Sequence, residues 1–219
     1  MDKMRLLFSK TGRAVYISHL DLMRTLTRAF LRAECRLKYS EGFNPHPSIS
    51  IALPLSVGAE SVCEILDFKL LEEMEPAEIL ARLKNQLPEG IEAIEVYESV
   101  RKVKELKWLN IVGALEYDER SAADMLPELR KFFEQDSIVI HKKTKRGIGE
   151  SDIRPAIKEI SFEVCGKDIC LNAVISAQEP TLNPELLADA LRQLCPEIAP
   201  DFAKFRRIEI FDEKMSVFR

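Results

Sequence analysis

What most restricts the fold of this chain is a change of hydrophobic period that runs strand, helix, strand, strand, helix, strand and then starts again. Residues 4–9 are apolar and β-tolerant, Thr11-Gly12 supply a turn, and Ala14-Val15-Tyr16-Ile17 resume an extended pattern. Ser18 stands where an N-cap belongs, and Asp21 brings a carboxylate to the positive end of the helix it opens. A helix over 19–33 follows, with Leu20, Met23, Leu26, Phe30 and Ala33 recurring at helical spacing on its expected buried face. Next come an extended piece at 37–40, a turn-rich loop at 41–47 and a strand at 49–53. A strand at 61–70, a helix at 76–86 with proline in its first turn, and a strand at 91–99 complete the set.

Residues 100–107 are polar and basic and read as a linker, after which the order restarts. Strand 108–117, helix 121–134 and a short strand 137–141 precede a charged loop at 142–155. A hairpin-like pair at 157–164 and 168–175 turns at Gly166-Lys167, followed by a helix at 184–194 and a strand at 205–211. The halves share no sequence identity, only this order. An α+β chain of two tandem ferredoxin-like (βαββαβ) modules is expected, over residues 1–100 and 108–219.

The 219 residues, 46% apolar and 31% charged, exclude disordered and fibrous classes. With a formal charge of −4 the chain has no general basic coat, so any hold on a polyanion must come from local patches. Cys35, Cys63, Cys165, Cys170 and Cys195 lack CxxC spacing and read as reduced, mostly core thiols. The first residues carry no apolar signal stretch, and no run approaches the roughly 18–20 apolar residues that span a bilayer, so a cytoplasmic protein without membrane contact is expected. GxGxxG, GxxxxGK[ST], HExxH, GxSxG and CxxxCxxC are all missing, and neither a cofactor nor a metal is expected.

The chemistry is densest between Tyr16 and Leu55. Glu41, Asn44 and His46 lie in a loop stiffened by Gly42, Pro45 and Pro47, which could aim their polar groups or could be a well-made turn. His19 and Asp21 point about 200° apart on their helix and so take separate roles, Asp21 as a cap. His19, His46 and Glu41 are the candidates for acid/base chemistry. Arg24, Arg28 and Arg32 repeat at i, i+4 and i+8, where like charges repel slightly, so either an anionic partner or carboxylates elsewhere in the fold offset them. Lys142, Lys143, Lys145, Arg146 and Arg154 make the strongest cationic run, fit for phosphate contacts or for solubility alone. Tyr39, Phe43, Phe68 and Trp108 are the aromatics available for base stacking, if they are not core.

The stretches Ile17-Ser18-His19-Leu20-Asp21-Leu22-Met23-Arg24, Ser40-Glu41-Gly42-Phe43-Asn44-Pro45-His46-Pro47 and Pro54-Leu55-Ser56-Val57-Gly58 resemble a bacterial family of uncharacterised domains, the radical-SAM-linked or radical-SAM-associated family. Its members stand beside a radical SAM gene or are fused behind a radical SAM domain. The resemblance covers the whole chain, because 142–155, with Thr-Lys-Arg-Gly and Asp-Ile-Arg-Pro, resembles the family's second-half signature. It implies a radical SAM enzyme as partner. A looser, fold-level similarity is to the CRISPR repeat-cleaving endoribonucleases, whose glycine-rich loop near the C-terminus has no clear counterpart here. The expected function is an accessory protein of a radical SAM enzyme that binds nucleic acid, most of all structured RNA, through Arg24, Arg28, Arg32, Asn44, Lys142, Lys143, Lys145, Arg146 and Arg154. The alternatives are an RNA-directed enzyme using His19 or His46, and a module that docks on the partner without RNA.

Overall fold

The computed structural model describes residues 3–144 and 147–219, with residues 143 and 144 described by backbone alone. The chain divides into two compact units, Met1–Glu105 together with Arg219, and Leu106–Phe218. Both are α+β. No helix among the described residues is long and apolar enough to cross a membrane.

In the first unit the elements run β1 (Met4–Lys10), α1 (His19–Arg32), β2 (Ile49–Ile51), β3 (Glu60–Phe68), α2 (Pro76–Lys84) and β4 (Ile91–Glu98). The sheet order is β4-β1-β3-β2 with antiparallel neighbours, the ferredoxin-like order. Leu6, Phe8, Leu66 and Phe68 supply the sheet's share of the core; Leu22, Leu26 and Phe30 come from α1, and Ile79 and Leu83 from α2. The Phe30 and Phe68 rings meet at 4.8 Å.

Two expectations are corrected here. Residues 14–16 do not extend a strand but belong to a 3-10 turn over Gly12–Tyr16, which Ile17 follows in extended conformation without pairing. Gly12 takes φ +56°, and the Thr11 carbonyl accepts the Ala14 N–H at 3.2 Å, which turns the chain before it can pair. The inward face of α1 is Leu22, Leu26, Ala29 and Phe30, while Leu20 is 66% exposed. The capping reading does hold. The Ser18 hydroxyl oxygen accepts the Asp21 N–H at 3.1 Å and donates to the Asp21 carboxylate at 2.8 Å.

The second unit repeats the plan with an insertion. It runs β5 (Leu106–Glu116), α3 (Ala122–Phe133), β6 (Val139–Thr144), β7 (Gly147–Asp152), β8 (Ile157–Cys165), β9 (Asp168–Ser176), α4 (Glu185–Leu194) and β10 (Phe202–Asp212). The strands β10-β5-β9-β8 again give the ferredoxin-like order. The expected strand 137–141 is therefore not a member of that sheet, and 142–155 is not simply a loop. β6 and β7 form a separate two-stranded ribbon, in register from Val139↔Asp152 to Thr144↔Gly147, inserted between α3 and β8. The ribbon's base is fastened by Asp152, whose carboxylate accepts the Ile138 N–H at 2.9 Å, the Arg154 N–H at 3.0 Å and the Ser137 hydroxyl at 2.8 Å.

The cysteine reading also changes. Cys165 and Cys170, expected as reduced thiols, are joined by a disulfide, because the β8–β9 turn brings their Cα atoms to 5.8 Å. Cys35 and Cys63 are buried and not in a disulfide, and neither is Cys195, which is half-buried.

Candidate nucleic-acid interface

The first cationic group lies along α1. Arg24, Arg28 and Arg32 are all exposed, but they are engaged differently. Arg24 pairs with Asp21 at 3.1 Å, and the hydrogen bonds from Ser18 and then from Arg24 hold the Asp21 carboxyl below the usual carboxylate range. Arg32 donates to the side chain and the backbone carbonyl of Gln86. Arg28 has no hydrogen-bond or ion-pair partner among the described residues, which leaves it the stripe's available cation.

His19 opens α1, whereas His46 lies beyond the other end of that helix. Met4 at the start of β1 and Ile49 at the start of β2 both face Phe68, so the loop feeding β2 lies at the N-terminal end of β1, and His19 follows its C-terminal end. The 14 residues of α1 span about 21 Å, so the two imidazoles are not brought together. His46 and Glu41 are, since both line one cleft.

That cleft is built by three chain segments that meet through a closed ring of backbone hydrogen bonds. The Lys38 N–H donates to the Lys69 carbonyl at 2.8 Å, Lys69 to Ser48 at 3.0 Å, and Ser48 back to Lys38 at 2.7 Å. Within the loop, the Ser40 N–H donates to the His46 carbonyl at 2.8 Å and the Ser40 hydroxyl accepts the His46 N–H at 2.9 Å. Gly42, at φ +122°, gives the loop a conformation closed to other residues. The resulting cleft of about 490 Å³ is lined by Lys38, Tyr39, Glu41, His46 and Lys69. Neither lysine has a carboxylate within ion-pair distance among the described residues, even though Glu41 shares the cleft. Tyr39 is 48% exposed, and Phe43, in the same loop as exposed Asn44, is fully so.

The other aromatic candidates do not serve. Phe68 is core, and Trp108 is half-buried beneath the Lys158 ammonium, 5.0 Å from its ring centroid.

In the second unit Lys142 is half-buried on β6 and Lys143 follows it on the same strand, while Lys145 and Arg146 lie outside the described residues. Arg154 spends its guanidinium on structure, donating to the Gln135 carbonyl at 3.1 Å and the Ile157 carbonyl at 2.9 Å. With Arg130, which donates to the Phe162 carbonyl at 2.9 Å, it lines a second cleft of about 330 Å³. The arginine that carries part of the motif resemblance is thus a brace first.

Sequence reasoning passed over Lys38 and Lys69. The basic clusters drew attention because they are contiguous, whereas these two lysines lie 31 positions apart and meet only through strand pairing.

A protein-family profile described as "Uncharacterized protein conserved in bacteria (DUF2344)" matches residues 3–184. No curated protein matches the chain. Among solved structures, the chain is similar to one in the crystal structure of a Cbf5-Nop10-Gar1 complex, with 12% identity and a TM-score of 0.51. That match covers 96% of this chain but only 50% of the other, so the present chain spans half its length; at this identity the likeness is one of fold. A crystal structure of an unknown protein from Galdieria sulphuraria is matched at 9% identity and a TM-score of 0.29, over 94% of this chain and 98% of that one.

Proposed function

This chain belongs to the bacterial family DUF2344, and we propose that it is an accessory protein that binds RNA and presents it to a radical SAM partner enzyme. The observation that carries the RNA half is the cleft where Lys38 and Lys69, with no acidic partner among the described residues, stand beside the exposed Tyr39 ring and His46. In a chain with 36 acidic residues against 32 basic ones, a lining that sets the two ammonium groups against the single carboxylate of Glu41 is net positive where the overall balance opposes it. Two ammonium groups hold phosphates through charge alone, and an exposed aromatic adds contact area that every base can share. Arg28 on α1 is a further cation available to the same ligand class. The radical SAM half is supported by the resemblance of the segments 17–24, 40–47 and 142–155.

The test is purification from the native cell with crosslinking, alongside RNA binding by the pure protein across a salt series. RNA crosslinked at residues 38–48, with affinity that falls as salt rises, is the expected result. Absence of salt-dependent RNA binding at low ionic strength overturns the RNA half. Failure to recover a radical SAM protein overturns the partner half.

A further inference from the structure

The loop at 41–47 has a property that the charge of its cleft does not explain. Phe43 has a relative exposure of 112%, so its ring touches essentially nothing of its own chain. An apolar ring of this size is normally buried, and the free protein forgoes the stabilisation that burial would bring. Nor is the ring on a slack segment. The two hydrogen bonds between Ser40 and His46 close the loop, Gly42 sets its turn, and Pro45 and Pro47 restrict φ on the return path. The bridge between Tyr39 and Pro47 ties the loop's two ends together. The ring is therefore held out in advance, and a ligand that covers it has little loop entropy to overcome.

From this, and resting on the RNA-binding reading above, we infer that the 41–47 loop and the cleft at its base together take a single-stranded stretch of RNA, with Phe43, which projects from the loop outside the cleft's lining, as the stacking platform for an unpaired base. A paired base has both faces covered by its neighbours in the stack and offers an aromatic ring nothing; an unstacked base offers a whole face. The surrounding groups suit the rest of that ligand. Lys38 and Lys69 supply two ammonium groups for flanking phosphates in the cleft at the loop's base, against the one carboxylate of Glu41, and Tyr39 gives a second, half-exposed ring in the same lining. Asn44 and His46, on either side of Pro45, carry the amide and imidazole donors and acceptors that can meet a base edge. The arginine stripe of α1 has no such ring within it and would serve backbone contacts only.

Fluorescence anisotropy with a short labelled single-stranded RNA of mixed sequence, and with the same strand annealed to its complement, tests this directly. The wild-type protein is expected to bind the single strand at least about tenfold more tightly than the duplex. Phe43→Ala is expected to lose about tenfold or more on the single strand, the worth of one base–aromatic stack, and Phe43→Trp to retain binding. Because the ring touches nothing, neither variant disturbs the fold, which circular dichroism verifies. Equal affinity for strand and duplex, or an unchanged affinity in Phe43→Ala, overturns this inference while leaving RNA binding standing. If wild type binds neither probe, the functional reading itself falls. If Phe43→Ala abolishes capture of a partner protein but not RNA binding, the ring is a protein-docking residue and the inference is overturned.

Discussion

Gln193 on α4 holds His141 on β6 by both of its backbone groups. The side-chain carbonyl of Gln193 accepts the His141 N–H at 2.9 Å, and its amide donates to the His141 carbonyl at 3.0 Å. One glutamine thus acts as a neighbouring strand would, and it ties the inserted ribbon to the second unit. Gln193→Ala is expected to speed hydrogen exchange at the His141 amide and along β6, at a cost of about 1 kcal/mol in stability because the site is exposed. Undiminished protection of β6 in the variant would show that the ribbon is held elsewhere.

Acid is expected to loosen the base of the same ribbon. Hydrogen bonds from the Ile138 and Arg154 backbone N–H groups, and then from the Ser137 hydroxyl, hold the Asp152 carboxyl below the usual carboxylate range. A carboxyl with a depressed folded pKa contributes stability that is present above its unfolded value near pH ~4 and is lost as pH falls through the folded value. Chemical shifts of Ile138 and Arg154 should therefore move together in that acid range. Asp152→Asn should weaken the ribbon base at neutral pH and remove the acid transition. A transition that persists in the asparagine variant would assign it to another group.

The pair Arg5–Asp67 is the electrostatic weak point of the first unit. Arg5 is fully buried on β1, with its Nε 2.7 Å from the Asp67 carboxylate directly across on β3. Removing the carboxylate strands a buried guanidinium, so Asp67→Ala should cost about 3–5 kcal/mol, read from the shift in urea midpoint. A loss below about 1 kcal/mol would mean that the remaining partners of Arg5, the Arg101 carbonyl at 3.1 Å among them, suffice to satisfy the cation.

Gly90 is irreplaceable for reasons of space and of backbone. It adopts φ +85°, and a Cβ there would lie 2.4 Å from the Thr11 carbonyl oxygen and 2.9 Å from the Ala14 Cβ. Its own carbonyl accepts the Thr11 N–H at 2.8 Å, so the chain cannot back away without breaking that bond. Gly90→Ala should destabilise by about 2 kcal/mol or more and lower Tm by several degrees. An unchanged melting curve would contradict the packing of the 3-10 turn against the start of β4.

If the cleft binds RNA as proposed, the two lysines contribute through counterion release. Each phosphate neutralised on a single strand adds about 0.7 to the slope of log affinity against log salt, so Lys38→Ala with Lys69→Ala should flatten it by about 1.4. A weaker but equally salt-dependent complex would place the phosphate contacts elsewhere, with Arg28 on α1 the next residue to replace.

Parts of this were legible in sequence and parts were not, for identifiable reasons. The start of α1 was readable because a cap is local: Ser18 and Asp21 need only each other and the first turn. Its buried face differs from the expected one at Leu20, which is exposed, and at Leu22 and Ala29, which join Leu26, Phe30 and Ala33 in the core with Met23 packed against it, because two apolar sets satisfy the helical period and the sheet selects between them. The ribbon went unrecognised because β7, Gly-Ile-Gly-Glu-Ser-Asp, buries none of its residues and so leaves no apolar alternation to read. Nothing in the spacing of Cys165 and Cys170 announces their disulfide, because the pairing depends on the turn between them.

By itself the sequence determined the strands and helices of the two ferredoxin-like units, the α+β class, the helix cap at Ser18 and the stiff loop around Phe43, but not the 3-10 turn at Gly12–Tyr16 or the inserted ribbon. All that it determined follows from interactions within a few residues. Tertiary structure alone decided that β3 lies between β1 and β2, that Lys69 closes a cleft with Lys38, that His19 and His46 lie at opposite ends of α1, and that Arg154 braces two carbonyls. Those outcomes depend on pairings between segments tens of residues apart. Such contacts form only when the whole hydrophobic face of a unit is buried together, and no local pattern encodes them.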